Sequence, residues 1–142
     1  LPASMNRNLQ NFTYIKAEDI KTENEEQFKL ADFPKNQIFK KGIELSKDTE
    51  NPFTFIQEAN NIYLILQVSP ENKTVTEIYI NGKKTMDINT ANDIEMPKVF
   101  KVYSAAEAEQ TAVSVKLKES EENAEQKLIL YGMAYTNNKT EN

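Results

Sequence analysis

The densest gathering of groups that could do chemistry is Asp87-Ile-Asn-Thr-Ala-Asn-Asp93-Ile-Glu95. Asp87, Asn89, Thr90, Asn92, Asp93 and Glu95 put hard oxygen donors on one short stretch, and calcium takes six to eight such ligands. The stretch lacks the glycine and the spacing of an EF-hand loop. The reading favoured here is a polar connector whose Asn and Asp side chains bond their own backbone. Calcium at Asp87–Glu95 stays open as the alternative, and no metal ligand is assigned. Just upstream, Asn81-Gly82 separates two β-rich runs. Both residues tolerate positive φ, which makes this the strongest short-range hairpin signal in the chain. These two stretches are where contacts are expected.

Other chemistries find little support. The chain has no Cys and no His, so thiol nucleophiles, the usual zinc sites and the commonest general base are missing. A serine would need lysine as its base, and no serine has the surroundings of such a site. The 22 acidic residues could place two carboxylates at a glycosidase spacing. Many of them cluster in loops such as 18–26 and 119–125, which read as solvated. The 3 glycines, Gly42, Gly82 and Gly132, cannot build a phosphate-cradling motif. No catalytic residue and no cofactor are assigned, and the expectation is a protein that is not an enzyme.

Carbohydrate binding would call on flat aromatic rings. Trp is absent, and Tyr14, Tyr63, Tyr79, Tyr103, Tyr131 and Tyr135 all fall in expected strands, where half-buried packing is the ordinary role. The sequons at Asn11, Asn72 and Asn138 are chance matches in an Asn- and Thr-rich chain.

The elements that must carry these residues are short β-strands. The chain has 142 residues, 39% hydrophobic and 27% charged, with net charge −5. That is lean but globular, and long enough to bury a core. The acidic balance argues against nucleic acid or an anionic membrane. No apolar run approaches the roughly 20 residues of a membrane span. The start at Leu1-Pro2-Ala3-Ser4 reads as a processed or partial chain.

Residues 1–8 read as a polar arm, 9–136 as one β-sandwich domain and 137–142 as a polar tail. Strands are expected over 11–17, 37–46 (interrupted at Gly42), 52–56, 62–68, 74–80, 83–88, 98–103, 111–118 and 127–136, and 27–33 is a further candidate outside that set. A turn is expected at Asn60-Asn61. Ser104-Ala-Ala-Glu107 has the pattern of a capping box, so 104–110 is expected as a short helix. Residues 62–68 are apolar at nearly every position, so that strand should be covered on both faces. Residues 128–134 share this character, and the two runs should lie at the centres of two packed sheets or side by side in one. At Asn81-Gly82 a two-residue loop pairs Ile80 with Lys83. A slipped register pairs Ile78 with Met86 and Thr76 with Ile88, a cleaner apolar face, so a longer loop is favoured.

The fold class expected is all-β: an antiparallel β-sandwich or jelly-roll-like domain of eight or nine short strands, with at most one short helix. The leading functional expectation is a structural or assembly module of a cell surface or virion. It would work through protein partners, as a homo-oligomer or larger assembly. The alternative is an extracellular ligand-binding or adhesion domain, with glycan as a candidate ligand. A carboxylate-based glycoside hydrolase is a remote third.

Overall fold

The structure is a computed structural model, and it describes residues 12–23, 25–46, 49, 51–73, 75–118 and 126–138. Eight strands follow in order: β1 (Thr13–Lys16), β2 (Lys29–Asp32), β3 (Lys41–Ser46), β4 (Phe53–Val68), β5 (Val75–Ile80), β6 (Lys83–Asn89), β7 (Met96–Leu117) and β8 (Lys127–Thr136). Two short 3₁₀ turns, Ala17–Asp19 and Glu25–Gln27, fall in the connection from β1 to β2. All strand pairings are antiparallel, in the order β2-β3-β8-β4-β7-β5-β6, and β1 also pairs with β8. The all-β sandwich expected from the sequence is what the chain forms.

Two of the strands are not short. β4 runs for 16 residues and β7 for 22. Each bends and serves both layers. Phe53–Ala59 pairs with the second half of β7, whereas Asn61–Val68 pairs with its first half and, over Asn61–Leu66, with β8. One layer, the large sheet, holds β1, β2, β3, β8 and the adjoining halves of β4 and β7. The small sheet holds the other halves with β5 and β6.

This corrects two local expectations. The turn at Asn60-Asn61 is a bulge within β4, flanked by register shifts. Its polar atoms are satisfied in place: Asn60 Oδ1 accepts from the Thr136 hydroxyl at 2.6 Å and from the Asn138 amide at 3.1 Å. Asn61 Nδ2 donates to Thr136 Oγ1 at 3.0 Å, and Asn61 Oδ1 accepts from Ser104 at 2.8 Å. Ser104 is therefore not a helix cap. Its hydroxyl is tied to β4, and residues 104–110 continue β7 through the bend. Strand pairing outweighed the local helical pattern.

The core lies between the layers. Leu45, Phe53, Phe55, Ile62, Leu64, Leu66, Ile78, Val113, Val115, Leu128, Leu130 and Met133 are all buried in one cluster. In β7 the alternation expected over 111–118 holds, with Val113, Val115 and Leu117 inward. Ile62–Val68 and β8 lie side by side in the large sheet, the second of the arrangements anticipated. β3 starts at Lys41, later than expected, because the Asn36 side chain takes the amides of Ile38 and Phe39 at 3.0 and 2.9 Å. Gly42 does not interrupt β3. A Cβ there would meet Ile129 Cγ2 at 2.6 Å, so glycine allows the close approach of β8.

The hairpin at Asn81-Gly82 satisfies both registers considered from the sequence. The loop has two residues, with φ of 51° at Asn81 and 84° at Gly82, and Ile80 pairs with Lys83. One step in, a bulge shifts the pairing so that Ile78 faces Met86 and Thr76 faces Ile88. The longer loop favoured from the sequence is thus replaced by a tight loop plus a bulge. The extra residue, Thr85, keeps the apolar face of β6 toward the core.

Candidate binding face of the small sheet

The two stretches singled out from the sequence are structural. Asn81 docks the hairpin onto β7. Its amide donates to Ala112 O at 2.8 Å and its Oδ1 accepts from the Ala112 amide at 2.9 Å. In the Asp87–Glu95 stretch two Asn side chains bond their own backbone. Asn89 Oδ1 accepts from the Ala91 amide at 2.9 Å, and Asn92 Nδ2 donates to Ile94 O at 2.6 Å. Thr90 Oγ1 is buried and accepts from Asn72 at 3.1 Å. Asp87 is paired with Lys84 at 2.9 Å. The Asn side chains thus behave as the favoured reading expects, whereas Asp87 pairs with a lysine rather than with backbone. Among the described residues no three acid, His or Cys side chains come together as a metal cage would need. Asn72, a sequon residue, is buried and donates to Gln67 O at 3.0 Å, so its side chain is already committed.

The tyrosines decide where a ligand could lie. Tyr131 is 3% exposed on the outer face of the large sheet. Phe39 stacks on it at 5.1 Å and Phe33 meets it edge-on at 5.4 Å. Gln67 Nε2 donates to its hydroxyl at 3.0 Å. Burial pushes its pKa up, with the Gln67 bond pulling the other way. Tyr14 lies over Gly132, where a Cβ would meet its hydroxyl at 2.9 Å, and its ring meets Phe39 at 6.0 Å. Burial, then the nearby Glu18 carboxylate, hold the Tyr14 hydroxyl well above its ordinary range. Tyr63 is covered by Phe12 at 4.8 Å, with the Lys101 ammonium 5.9 Å from its ring centre. Tyr103 and Tyr135 pack on the core.

Tyr79 is different. It is half-buried on β5, and its one recorded polar contact is a long bond of 3.5 Å from its hydroxyl to Glu77 Oε1. Among the described residues no other ring packs on it. Strand register sets its neighbours, since residues opposite each other in a sheet share a face. Tyr79 lies opposite Ser114 on β7 and Lys84 on β6, and Ser114 lies opposite Thr54 on β4. Thr54 and Ser114 hydroxyls are 2.8 Å apart. One step along the strands, Glu77 lies opposite Lys116 and Asp87. On the other side, Ile56 lies opposite Ala112, and Ile56 is 57% exposed.

The electrostatics of this face are self-contained. Lys84 Nζ sits 2.9 Å from both Glu77 Oε2 and Asp87 Oδ1, and the Glu77 side chain is only 13% exposed. Those bonds, Asp87 first and then Glu77, hold the Lys84 ammonium well above its ordinary range. An ammonium held between two carboxylates and a free ring beside two hydroxyls can hydrogen-bond and stack. Nothing in the set supplies an activated nucleophile. The sequence reading placed Tyr79 in a strand, half-buried, but did not single it out. The alternation Glu77, Tyr79 out and Thr76, Ile78 in was the available signal.

With this geometry on view, comparison with known proteins bears on the fold. No family model matches the chain, and no curated protein sequence matches it. Solved structures do match its fold. A two-domain esterase active on acetylated mannans, co-crystallized with mannopentaose, superposes with a TM-score of 0.67 at 17% identity, over 94% of this chain and 38% of that one. The CBM36-1 domain of a multidomain xylanase from the hindgut metagenome of Trinervitermes trinervoides gives 0.54 at 9% identity, over 92% of this chain and 100% of that one. The carbohydrate-binding module CBM36, in complex with calcium and xylotriose, gives 0.53 at 14% identity, over 86% and 97%. At these identities the likeness is one of fold. This chain spans under two fifths of the esterase but nearly the whole of each module.

Proposed function

We propose that the chain is a non-catalytic carbohydrate-binding module that works outside the cell, with the Tyr79 face of the small sheet as its glycan site. The observation that carries this reading is Tyr79 itself: a half-buried ring on the same sheet face as Thr54, Ser114, Glu77 and Lys84, with no other ring packed on it among the described residues. A sugar presents an apolar C–H face and a rim of hydroxyls. A free tyrosine ring takes the first, and fixed hydroxyls and charged groups take the second. The likeness in fold to the CBM36-1 domain of a multidomain xylanase and to the carbohydrate-binding module CBM36 supports the same choice.

The reading assigns no calcium ligand, because Glu77 and Asp87 are paired with Lys84 and no three acidic side chains come together among the described residues. The proposed module would hold polysaccharide for a catalytic domain acting on the same polymer. The self-assembly expected from the sequence leaned on polar arms that lie mostly outside the described residues. A closed trimer or larger by light scattering would restore that reading.

Affinity electrophoresis in gels containing soluble mannan, xylan or glucan tests the proposal. The wild-type chain is expected to be retarded by one of them, and Tyr79→Ala is expected to migrate as in a gel without polysaccharide. Equal retardation of the two proteins would remove Tyr79 from the site.

A further inference from the structure

The small-sheet face also carries information about the shape and charge of what it holds, given the glycan-binding reading on which this step rests. Three parallel rows cross the strands. The middle row is Thr54, Ser114, Tyr79, Lys84, one residue from each of β4, β7, β5 and β6. One flank is apolar, Ile56 and Ala112, and the other is charged, Lys116, Glu77 and Asp87. We infer that this face binds a neutral, linear polysaccharide whose chain axis runs across the strands, along the Thr54–Lys84 row, with about three consecutive sugars in contact.

The length follows from sheet geometry. Adjacent strands lie about 4.8 Å apart, so a row over four strands spans about 14 Å. A linked pyranose repeats at close to the strand spacing, so one sugar falls over each gap between strands. Tyr79 stacks on the middle region, the Thr54–Ser114 hydroxyl pair receives one end and Lys84 the other.

The orientation follows from the flanks. A ribbon-like sugar chain carries hydroxyls along both edges, and its less polar surfaces are its C–H faces. Ile56 is a large aliphatic with more than half its surface in water, and it acquires a use by widening the apolar surface under a C–H face. Glu77 and Asp87 accept from hydroxyls along the edge on their side.

The charge state follows from a count over the face. Glu77 and Asp87 are matched by Lys84, which bonds both, and by Lys116 in the same row. The face as a whole is neutral, so an anionic polymer gains no net attraction there and must still displace an ion pair.

The experiment is calorimetric titration of the full chain with neutral β-linked manno-, xylo- and gluco-oligosaccharides of one to five units. Affinity for the preferred series is expected to rise at each step to three units and to stay within about twofold from three to five. Thr54→Val, at the end of the row, should weaken the three-unit ligand at least threefold without lowering the melting temperature. A trigalacturonate of the same length should bind at least tenfold more weakly than the neutral trimer.

A flat dependence on length, or a rise continuing through five units, overturns the span. Equal binding of trigalacturonate overturns neutrality. If Tyr79→Ala abolishes binding but the length profile is flat, the site stands and only the row geometry falls. If Tyr79→Ala binds like wild type, or no neutral oligosaccharide binds, the glycan site itself is wrong.

Discussion

On the outer face of the large sheet, Tyr131 lies between Phe33 and Phe39 and has a hydrogen-bond partner in Gln67. On the outer face of the small sheet, Tyr79 is half-buried, lies opposite Ser114 and Lys84, and has only a long bond of 3.5 Å from its hydroxyl to Glu77 Oε1. The difference is made by residues 33–40. The Asn36 side chain caps the amides of Ile38 and Phe39, and Phe33 N donates to Lys40 O at 2.8 Å. That compact loop lays aromatic rings over Ile65, Ile129 and Tyr131, forming a second small core. No equivalent loop covers the small sheet among the described residues. The same residue type thus serves as core in one layer and as surface in the other. What separates the two roles is whether a neighbouring loop has been folded over it.

This contrast can be broken or sharpened by experiment. The largest effect is expected at the sealed face. Tyr131→Ala should cost about 3–5 kcal/mol of stability, the usual range for truncating a buried aromatic. Tyr79→Ala should change stability by less than about 1 kcal/mol while removing glycan binding. Urea denaturation of both variants checks the pair, and similar costs would erase the distinction between the faces.

The hairpin that carries half of the open face should be the next most sensitive point. Gly82→Val places a β-branched residue at positive φ, for about 1–2 kcal/mol. Lys83→Ala should stay within about 0.5 kcal/mol. Equal shifts in unfolding midpoint would mean that the turn conformation does not hold the face together.

The sealed face should also respond to alkali. An unfolded tyrosine ionises around its ordinary value of 10.0, while burial keeps the folded Tyr14 hydroxyl protonated to higher pH. The folded state then binds more protons, so this contribution is intact below pH 10 and is lost as pH rises above it. Urea midpoints between neutral and strongly alkaline pH should fall less steeply for Tyr14→Phe than for wild type. An unchanged slope would indicate that Tyr14 is not sealed.

The smallest effect is expected beneath the open face. Thr76 is fully buried, and its hydroxyl has no hydrogen-bond partner among the described residues. Thr76→Val removes that unmet group at nearly constant volume and should raise stability by up to about 1 kcal/mol, with glycan affinity unchanged. A loss of stability on thermal melting would show that the hydroxyl is satisfied after all.

Much of this architecture is legible in the sequence. The apolar runs at Ile62–Val68 and in β8 announced strands buried on both faces, and the alternation of Val113, Val115 and Leu117 marked an inner face. The misreadings share one cause. Asn60-Asn61 and Ser104–Gln110 carry local signals for a turn and a helix, but those signals compete with pairing partners distant in the chain. The Thr136 and Ser104 hydroxyls that absorb the polarity of the asparagines cannot be located without the fold. The binding face was harder still. Tyr79 and Tyr131 look alike in sequence, each in a β-rich run, and the loop that hides one of them is read as an extension of β3. The oxygen-rich stretch at Asp87–Glu95 stands out by composition, yet Asn89 and Asn92 bond their own backbone, Thr90 accepts from Asn72 and Asp87 pairs with Lys84.

The bends in β4 and β7 bear on how the molecule comes apart. Each strand is a single covalent run through both layers, so neither sheet can peel away as a separate unit. Loss of pairing at Phe53–Val115 propagates along the same backbone to Val68–Met96. These partners are far apart in the chain, so the connecting loops must be ordered before the contacts reward them. Such topologies fold slowly, on the order of milliseconds to seconds. A molecule that assembles late and as one piece also dissolves as one piece. The rigid platform around Tyr79 therefore draws its persistence from the far layer as much as from its own strands.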